Sequence, residues 1–121
     1  RLRGHRCFNR LHRIGRRHHG DWMVLRVMPE EPRLLRPELR RHPTRCCRCA
    51  LVISSKVSKR AVRRNRLRRL LHQHLRQQLE HRGDLAGRWV LISLRPEASE
   101  AEPSQLLEEC DSLLSSAGLG Q

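Results

Sequence analysis

The sequence predicts an α+β fold: a small single-domain two-layer sandwich, in which helices pack on a sheet. The chain has 121 residues, a length that suits one domain over residues 1–121 with a modest core. Apolar residues recur at helical spacing in three segments, and shorter apolar runs between them have the length of strands. The predicted element order is α-β-β-(β)-α-β-α, where the bracketed strand is a short additional one.

The N-terminal part of the chain predicts a helix followed by a strand. Cys7, Leu11 and Ile14 recur at helical spacing, so we expect a helix over residues 5–14 that Gly15 closes in a left-handed cap. Residues 22–28 alternate as a strand that Pro29 ends. Its apolar face comprises Met23, Leu25 and Val27, and its mixed face comprises Trp22, Val24 and Arg26.

The middle of the chain predicts a loop, a strand and a long helix. Prolines and arginines crowd residues 29–45, which favours a loop because proline donates no backbone hydrogen bond. We expect a strand over residues 48–55 and a helix over residues 57–82, with Gly83 as its stop. The helix is predicted from a continuous leucine stripe, formed by Leu67, Leu70, Leu71, Leu75 and Leu79.

The last third predicts a buried strand and a final helix. The apolar run over residues 88–94 lies between Gly87 and a proline, which suits a strand covered on both faces. Ser99 with Glu102 resembles a capping box at the start of the helix, and Gly118 is its expected end. The apolar stripe of this helix comprises Leu106, Leu107, Cys110, Leu113 and Leu114.

Charge points to a polyanionic partner. The net charge is +14, and arginine supplies nearly all of it, since Lys56 and Lys59 are the only lysines. Arginine carries a planar fork of donors that matches phosphate oxygens and stacks on bases, so nucleic acid is favoured over an acidic protein. Because the sequence holds no apolar run of about 18 residues and no signal peptide, we expect no membrane attachment and a cytoplasmic location.

The cysteines predict neither a disulfide framework nor a metal site. Their number is odd, five, and no secretory segment accompanies them. A zinc-binding pair normally has two residues between its ligands, and after Cys46, Cys47 and Cys49 no second pair follows at a suitable distance. We expect Cys49 and Cys110 to be small core residues and the others to be incidental reduced thiols.

The densest basic cluster lies at the start of the predicted long helix. Like charges packed into a few turns destabilise an isolated helix, and no acids at i±4 neutralise them. Asn65 inside the cluster has no helix-forming rationale. A polyanion would remove the repulsion, so we predict a nucleic-acid-binding face. It comprises Arg60, Arg63, Arg64, Asn65, Arg66, Arg68 and Arg69.

These residues resemble the protein subunit of bacterial ribonuclease P. The family carries an Arg-Asn-Arg on its long helix, preceded by an apolar strand, a serine and a lysine. Here the apolar strand and serines occupy residues 50–55, Lys56 follows, and the Arg-Asn-Arg lies at residues 64–66. Phe8 followed by Gly15 also fits. The resemblance continues to the last helix and covers nearly the whole chain except residues 29–43.

The resemblance implies a sandwich with a left-handed βαβ crossover, whose Arg-Asn-Arg face docks on the catalytic RNA subunit. It implies that a cleft between the first helix and the sheet binds the single-stranded 5′ leader of precursor tRNA. The RNA subunit with its bound Mg²⁺ then removes this leader, so we predict no catalytic residue in the isolated chain. The expected cleft residues are Phe8, His12, Trp22, Arg26, Ser54 and Lys56.

Two other functions remain as alternatives. A ribosomal protein or DNA-binding module could use the arginine helix for recognition, but a recognition helix usually follows another helix across a tight turn, whereas a strand precedes this one. A protein nuclease would need a carboxylate cluster for metal, and Asp21, Asp84 and Asp111 are isolated in the sequence. The sequence leaves the preferred precursors and the oligomeric state open.

Overall fold

The structure, a computed structural model, describes residues 5–31, 33, 48–80, 82–85 and 87–119. Short 3-10 turns precede the last strand and the last helix within these ranges. The predicted α+β class, the single domain and the element order are confirmed, and β1 is the short additional strand. The elements are α1 (His5–Ile14), β1 (Arg16–His19), β2 (Met23–Pro29), β3 (Arg48–Val52), α2 (Ala61–Leu79), β4 (Arg88–Leu94) and α3 (Pro103–Ser116).

The four strands form one mixed sheet in the order β1-β2-β4-β3. Strands β1, β2 and β4 pair antiparallel, whereas β3 pairs parallel with β4. A parallel neighbour requires a crossover connection, and α2 supplies it between β3 and β4. The left-handed sense that the resemblance implies for this crossover stays a prediction.

One face of the sheet is fully covered by α2 and α3. The apolar face predicted for β2 is confirmed, because Met23, Leu25 and Val27 lie in this core. Cys110 belongs to the same core, and burial raises the pKa of its thiol to about 12, so it packs as a small apolar group. Cys49 is half-buried at the edge of the core. The helices contribute Leu71, Leu75, Leu79, Leu106, Leu113 and Leu114.

The other face of the sheet is covered in part by α1. Cys7 and Leu11 of α1 are buried against the sheet, and this confirms the helical spacing predicted for the N-terminal segment. The residues they contact are Met28, Ala50, Trp89 and Leu91. Helix α1 therefore adds partial cover to the two predicted layers, which are the sheet and the α2–α3 layer.

Helix α2 is shorter than predicted at both ends. Serine side chains bind the backbone ahead of it: Ser54 Oγ accepts the Lys56 N–H at 3.3 Å, and Ser58 Oγ accepts the Arg60 N–H at 3.2 Å. Such local bonds compete with helix formation, so β3 ends at Val52 and the helix begins only at Ala61. After Leu79 the chain enters a 3-10 turn over Gly83–Leu85, so Gly83 lies beyond the actual end.

Two predicted caps are wrong and one is confirmed. Gly15 adopts no positive φ; its N–H bonds the Leu11 carbonyl at 3.0 Å, and an added Cβ would collide with that oxygen. The capping box of α3 joins Glu102 to Gln105 and does not involve Ser99, because a proline fixes the first helical position. Gly118 has a φ of 77° and ends α3 as predicted, in a Schellman motif.

Several sequence predictions fall on parts of the chain outside the described residues. The proline-rich loop predicted over residues 29–45 lies mostly there, as do Cys46 and Cys47. Among the helices that the structure describes, none is both long enough and apolar enough to cross a bilayer.

Candidate nucleic-acid interface

The arginine cluster lies at the N-terminal end of α2. No acid occurs between Ala61 and Leu79, and Arg60, the N-cap, makes no side-chain cap. The first turns therefore combine the positive end of the helix dipole with several guanidinium groups. Both the helix dipole and the guanidinium groups would stabilise an anion bound at this end of α2. Of the predicted set, Arg60, Arg63, Asn65, Arg66 and Arg69 are exposed, and Arg64 and Arg68 are half-buried.

Three of these arginines also organise the protein around them. Arg64 Nη1 donates to the Ser58 carbonyl at 2.8 Å, which fixes the loop before the helix. Arg63 donates to the Ser99 carbonyl and so ties α2 to the turn before α3. Arg68 Nη1 donates to Asn65 Oδ1 at 2.7 Å, an interaction that explains asparagine inside the helix. The remaining arginine side chains extend into solvent.

The basic surface continues along one side of α2. Beside β3, the sheet edge and the helix enclose a groove of about 740 Å³. Arg76 extends the positive charge two turns past the predicted cluster, at helical spacing from Arg69 and Arg68. The lining residues are Cys49, Asn65, Arg68, Arg69, His72, Gln73, Leu75, Arg76, Leu79 and Glu80.

The partly covered face of the sheet leaves a cleft beside α1. Strand pairing places Val24, Ser93 and Val52 side by side across β2, β4 and β3. This row lies on the same face as Trp89 and Leu91, yet it is absent from the cluster that α1 covers. Val52 is 37% exposed. The row is therefore partly accessible at its valine ends, while the hydroxyl oxygen of Ser93 between them is buried.

Helix α1 forms the wall of this cleft. Arg10 Nε donates to Glu31 Oε1 at 3.0 Å, and this bond turns one flank of the helix toward the far end of β2. Phe8 and His12, four residues apart, share the opposite flank. Phe8 is half-buried against the α1 core, and the Arg26 and Arg17 charges act on His12. Phe8 and His12 thus lie on the flank of α1 away from Glu31, and the cleft between the first helix and the sheet stays a prediction.

The cleft carries positive charge at the β1 side. Arg26 on β2 lies opposite Arg17 on β1. Burial, with the nearby Arg17 charge, lowers the pKa of Arg26. The pKa of His12 is also lowered, first by burial and then by Arg26 and Arg17. Arg17 and His19 on β1 were not predicted as cleft residues, because nothing in the sequence indicated which strand would pair with β2.

One predicted cleft residue lies elsewhere. Trp22 was expected on the mixed face of β2 with Arg26, but it precedes the strand and packs against the core on the opposite side. Its backbone N–H donates to Glu109 Oε2 at 2.9 Å, and the Asp21 N–H donates to the other oxygen. The carboxylate of Glu109 on α3 thus binds the β1–β2 turn, and Trp22 does not follow the alternation of the β2 side chains.

Ser54 and Lys56 follow the end of β3 and are exposed. Ser54 comes two residues after Val52, at the β3 end of the open row, and Lys56 lies in the turn that leads to α2. The structure thus brings these two residues between the cleft and the arginine cluster.

Comparisons with known proteins identify the family of this chain. The family described as Ribonuclease P matches residues 1–118 of the chain. The ribonuclease P protein component of Synechococcus sp. (strain CC9902) is 74% identical over 98% of this chain and 93% of that protein. Its counterpart from Prochlorococcus marinus (strain MIT 9313) is 60% identical with the same coverage of both proteins.

Two solved structures share the fold. The Staphylococcus aureus RNase P protein has a TM-score of 0.76 at 15% identity, over 99% of this chain and 96% of that one. The Thermotoga maritima RNase P protein, solved with 1-(4-fluorophenyl)-2-thiourea, has a TM-score of 0.72 at 21% identity, over 94% and 96%. Since the family match and the close relatives both span nearly the whole chain, the chain belongs to the ribonuclease P protein family.

Proposed function

We propose that this chain is the protein component of ribonuclease P, the endonuclease that removes the 5′ leader of precursor tRNA. In this proposal the protein binds the catalytic RNA subunit and the leader, and it broadens substrate recognition. The observation that carries the proposal is the acid-free arginine end of α2 next to a separate cleft on the sheet. Family membership supports the same assignment.

The RNA subunit would dock on the exposed arginines of α2. Arg66 and Arg69 are exposed, and each lies on a helix without acids. Neutralising backbone phosphates releases counterions, so this contact should weaken steeply as salt rises. Arg64 would contribute less directly, since its guanidinium already bonds the Ser58 carbonyl and shapes the loop.

The leader would lie in the cleft between α1 and the open row of the sheet. Single-stranded RNA is held by stacking on aromatic or guanidinium planes together with backbone charge. Phe8 offers the aromatic plane and Arg26 the guanidinium. His12 supplies a polar wall beside them, and Ser54 and Lys56 lie where the strand would leave toward α2.

Hydrolysis would come from the RNA subunit. Mg²⁺, held mainly by that RNA, would activate water and stabilise the leaving oxygen. Within the residues that the structure describes, no group of three or more His, Cys, Asp or Glu side chains could hold a metal ion. This chain would therefore act by positioning the leader and by screening phosphate repulsion.

Reconstitution tests whether cleavage requires the RNA subunit and Mg²⁺ in addition to the protein. The purified protein alone should leave precursor tRNA intact, and cleavage at the mature 5′ end should appear only with the RNA subunit and Mg²⁺. Ribonuclease P RNA transcribed from the organism's own genome is the partner to use. Correct 5′ maturation by RNA-free protein would contradict the proposal.

Variants of the arginine helix test the docking face. Because both side chains are exposed, Arg66→Ala with Arg69→Ala should leave the circular dichroism spectrum unchanged. Affinity for the RNA subunit should fall by about 1–3 kcal/mol per lost charged contact, and the salt dependence should become shallower. Arg88→Ala, an exposed arginine on β4, is the matched control. Equal affinity of the double variant and this control would exclude α2 as the docking face.

A further inference from the structure

The groove beside β3 runs along one side of α2. Its lining includes Asn65, Arg69, Gln73, Arg76 and Glu80, which recur every three or four residues and so follow one another along one face of the helix. This row covers about 22 Å of the helix axis. The groove volume of about 740 Å³ lies within the range of sites that hold small organic ligands. The groove therefore has room for a flat group of the size of a nucleotide base.

The floor of the groove is apolar and its rim is cationic. Leu75 and Leu79 line the floor at 2% and 3% exposure, and Cys49 of β3 adjoins them. Arg69 and Arg76 on the rim are exposed. Within the part of the chain that the structure describes, neither guanidinium has a hydrogen bond or an ion pair. Both charges are therefore available to a ligand.

This combination matches an unpaired nucleotide better than a duplex or an acidic peptide. An unpaired base can leave the stack and lie on a protein surface, whereas the bases of a duplex stay inside it. Carboxylates of a peptide would pair with the arginines but would leave the leucine floor without an apolar partner. The Gln73 amide, exposed on the rim, carries both donors and an acceptor for the edge of a base.

The groove continues the arginine surface on which RNA is proposed to dock. Arg68 and Arg69 belong to that surface and also line the groove, and Arg68 is held toward Asn65 by its bond to Oδ1. Glu80, the acid in the lining, lies at the other end of the row and would repel phosphate there. An RNA strand would therefore enter from the Asn65 end.

We infer that the groove takes in one unpaired nucleotide of the RNA subunit, with its base on Leu75 and Leu79 and its phosphate on Arg69 and Arg76. This inference rests on the proposed function, because it names what the docked RNA inserts beside the arginine cluster. Docking by charge alone needs only the exposed rim of the helix, whereas insertion needs the space behind the rim. Filling that space without changing the charge therefore separates the two.

The experiment fills the groove and maps the bases of the RNA subunit. Gln73→Trp places a bulky neutral side chain in the groove, and Gln77→Trp places the same side chain one turn further along α2, outside the lining residues. Bound wild-type protein should protect one unpaired base of the RNA subunit from dimethyl sulfate or carbodiimide. Gln73→Trp should expose that base and raise the Kd for the RNA subunit by about 5–100-fold, the size of one base contact, whereas Gln77→Trp should do neither.

A second variant removes one rim charge and leaves the space open. Arg76 is exposed, so Arg76→Gln should keep the fold and weaken protection of the same base, with Arg88→Gln as its control. If Gln73→Trp melted well below Gln77→Trp, the Arg76→Gln result alone would decide. Unchanged protection of that base in a folded Gln73→Trp or in Arg76→Gln would overturn the inference.

Two further outcomes are distinct from these. Free AMP, titrated against wild-type protein and Gln73→Trp, should not occupy the groove at micromolar concentration. Micromolar binding that Gln73→Trp abolished would assign the groove to a free nucleotide and overturn the inference. If the double variant of Arg66 and Arg69 bound the RNA subunit as tightly as wild type, the docking face of the proposed function would itself fail.

Discussion

The two faces of the sheet differ in how completely they are covered. On the face beneath α2 and α3, Val90, Ile92 and Leu94 of β4 are buried, with Val90 and Ile92 at 0% exposure. On the face beside α1, Trp89 and Leu91 are buried, whereas Ser93 and its valine neighbours are accessible. Strand β4 therefore packs into the core on one face and borders an accessible surface on the other.

This difference shows how a small domain can combine stability with a binding cleft. The closed face holds most of the apolar core, so the fold does not depend on covering the second face. The short helix α1 then covers only half of that face and leaves an edge for a ligand. Burial is the main stabilising contribution in folding, and it is concentrated where no ligand needs access.

Matched valine substitutions should show the largest difference in stability between the two faces of the sheet. Val90→Ala removes a fully buried side chain, so the free energy of unfolding should fall by about 2 kcal/mol or more. Val52→Ala removes the same atoms from a residue that is 37% exposed and should cost less than about 1 kcal/mol. Val90 lies in an interior strand and Val52 in an edge strand, so strand position contributes to the difference together with burial. Urea unfolding measures both, and equal losses would mean that the second face is as closed as the first.

Replacing Phe8 should test the partly covered face of the sheet through its affinity for RNA. Phe8→Ala should lower affinity for leader-bearing precursor by about 1–3 kcal/mol per lost stacked base, with little effect on leaderless tRNA or on the RNA subunit. Ile14→Ala on the same helix, 48% exposed, is the control. A thermal melt must accompany the assay, because Phe8 also contacts the α1 core. A folded variant with equal losses for both RNAs would make Phe8 a packing residue.

Replacing His12 should give the smallest effect, a change in how the stability of the protein depends on pH. The pKa of His12 in the folded protein lies below the ordinary 6.5, so the unfolded chain binds a proton first as pH falls. Stability should therefore decline below pH 6.5 until the folded-state pKa is reached. His12→Gln should flatten that part of the stability profile. An unchanged profile would show that His12 feels neither burial nor the Arg26 and Arg17 charges.

Local patterns predicted most elements and the basic surface. The bounds of α1 and β4 agree with the structure residue for residue, because each has an uninterrupted apolar pattern with a clear stop. The start of α2 could not be read from its leucines, since side-chain bonds from Ser54 and Ser58 hold the preceding backbone out of the helix. The presence of a glycine at position 15 also led to a wrong prediction of a left-handed cap. Glycine is required there because an added Cβ would collide with the Leu11 carbonyl oxygen, and not because of a positive φ.

The sequence by itself determined the composition of each surface, and tertiary structure decided where the surfaces lie. Alternation in β2 identified its buried face, and the run of arginines identified the basic helix. Only the folded chain placed Ser93 between two valines and moved Trp22 to the other side through Glu109. Alternation and charge are local properties of a segment. Strand order and the capture of a turn by a distant carboxylate are set by contacts between residues that are far apart in the chain, which no local pattern encodes.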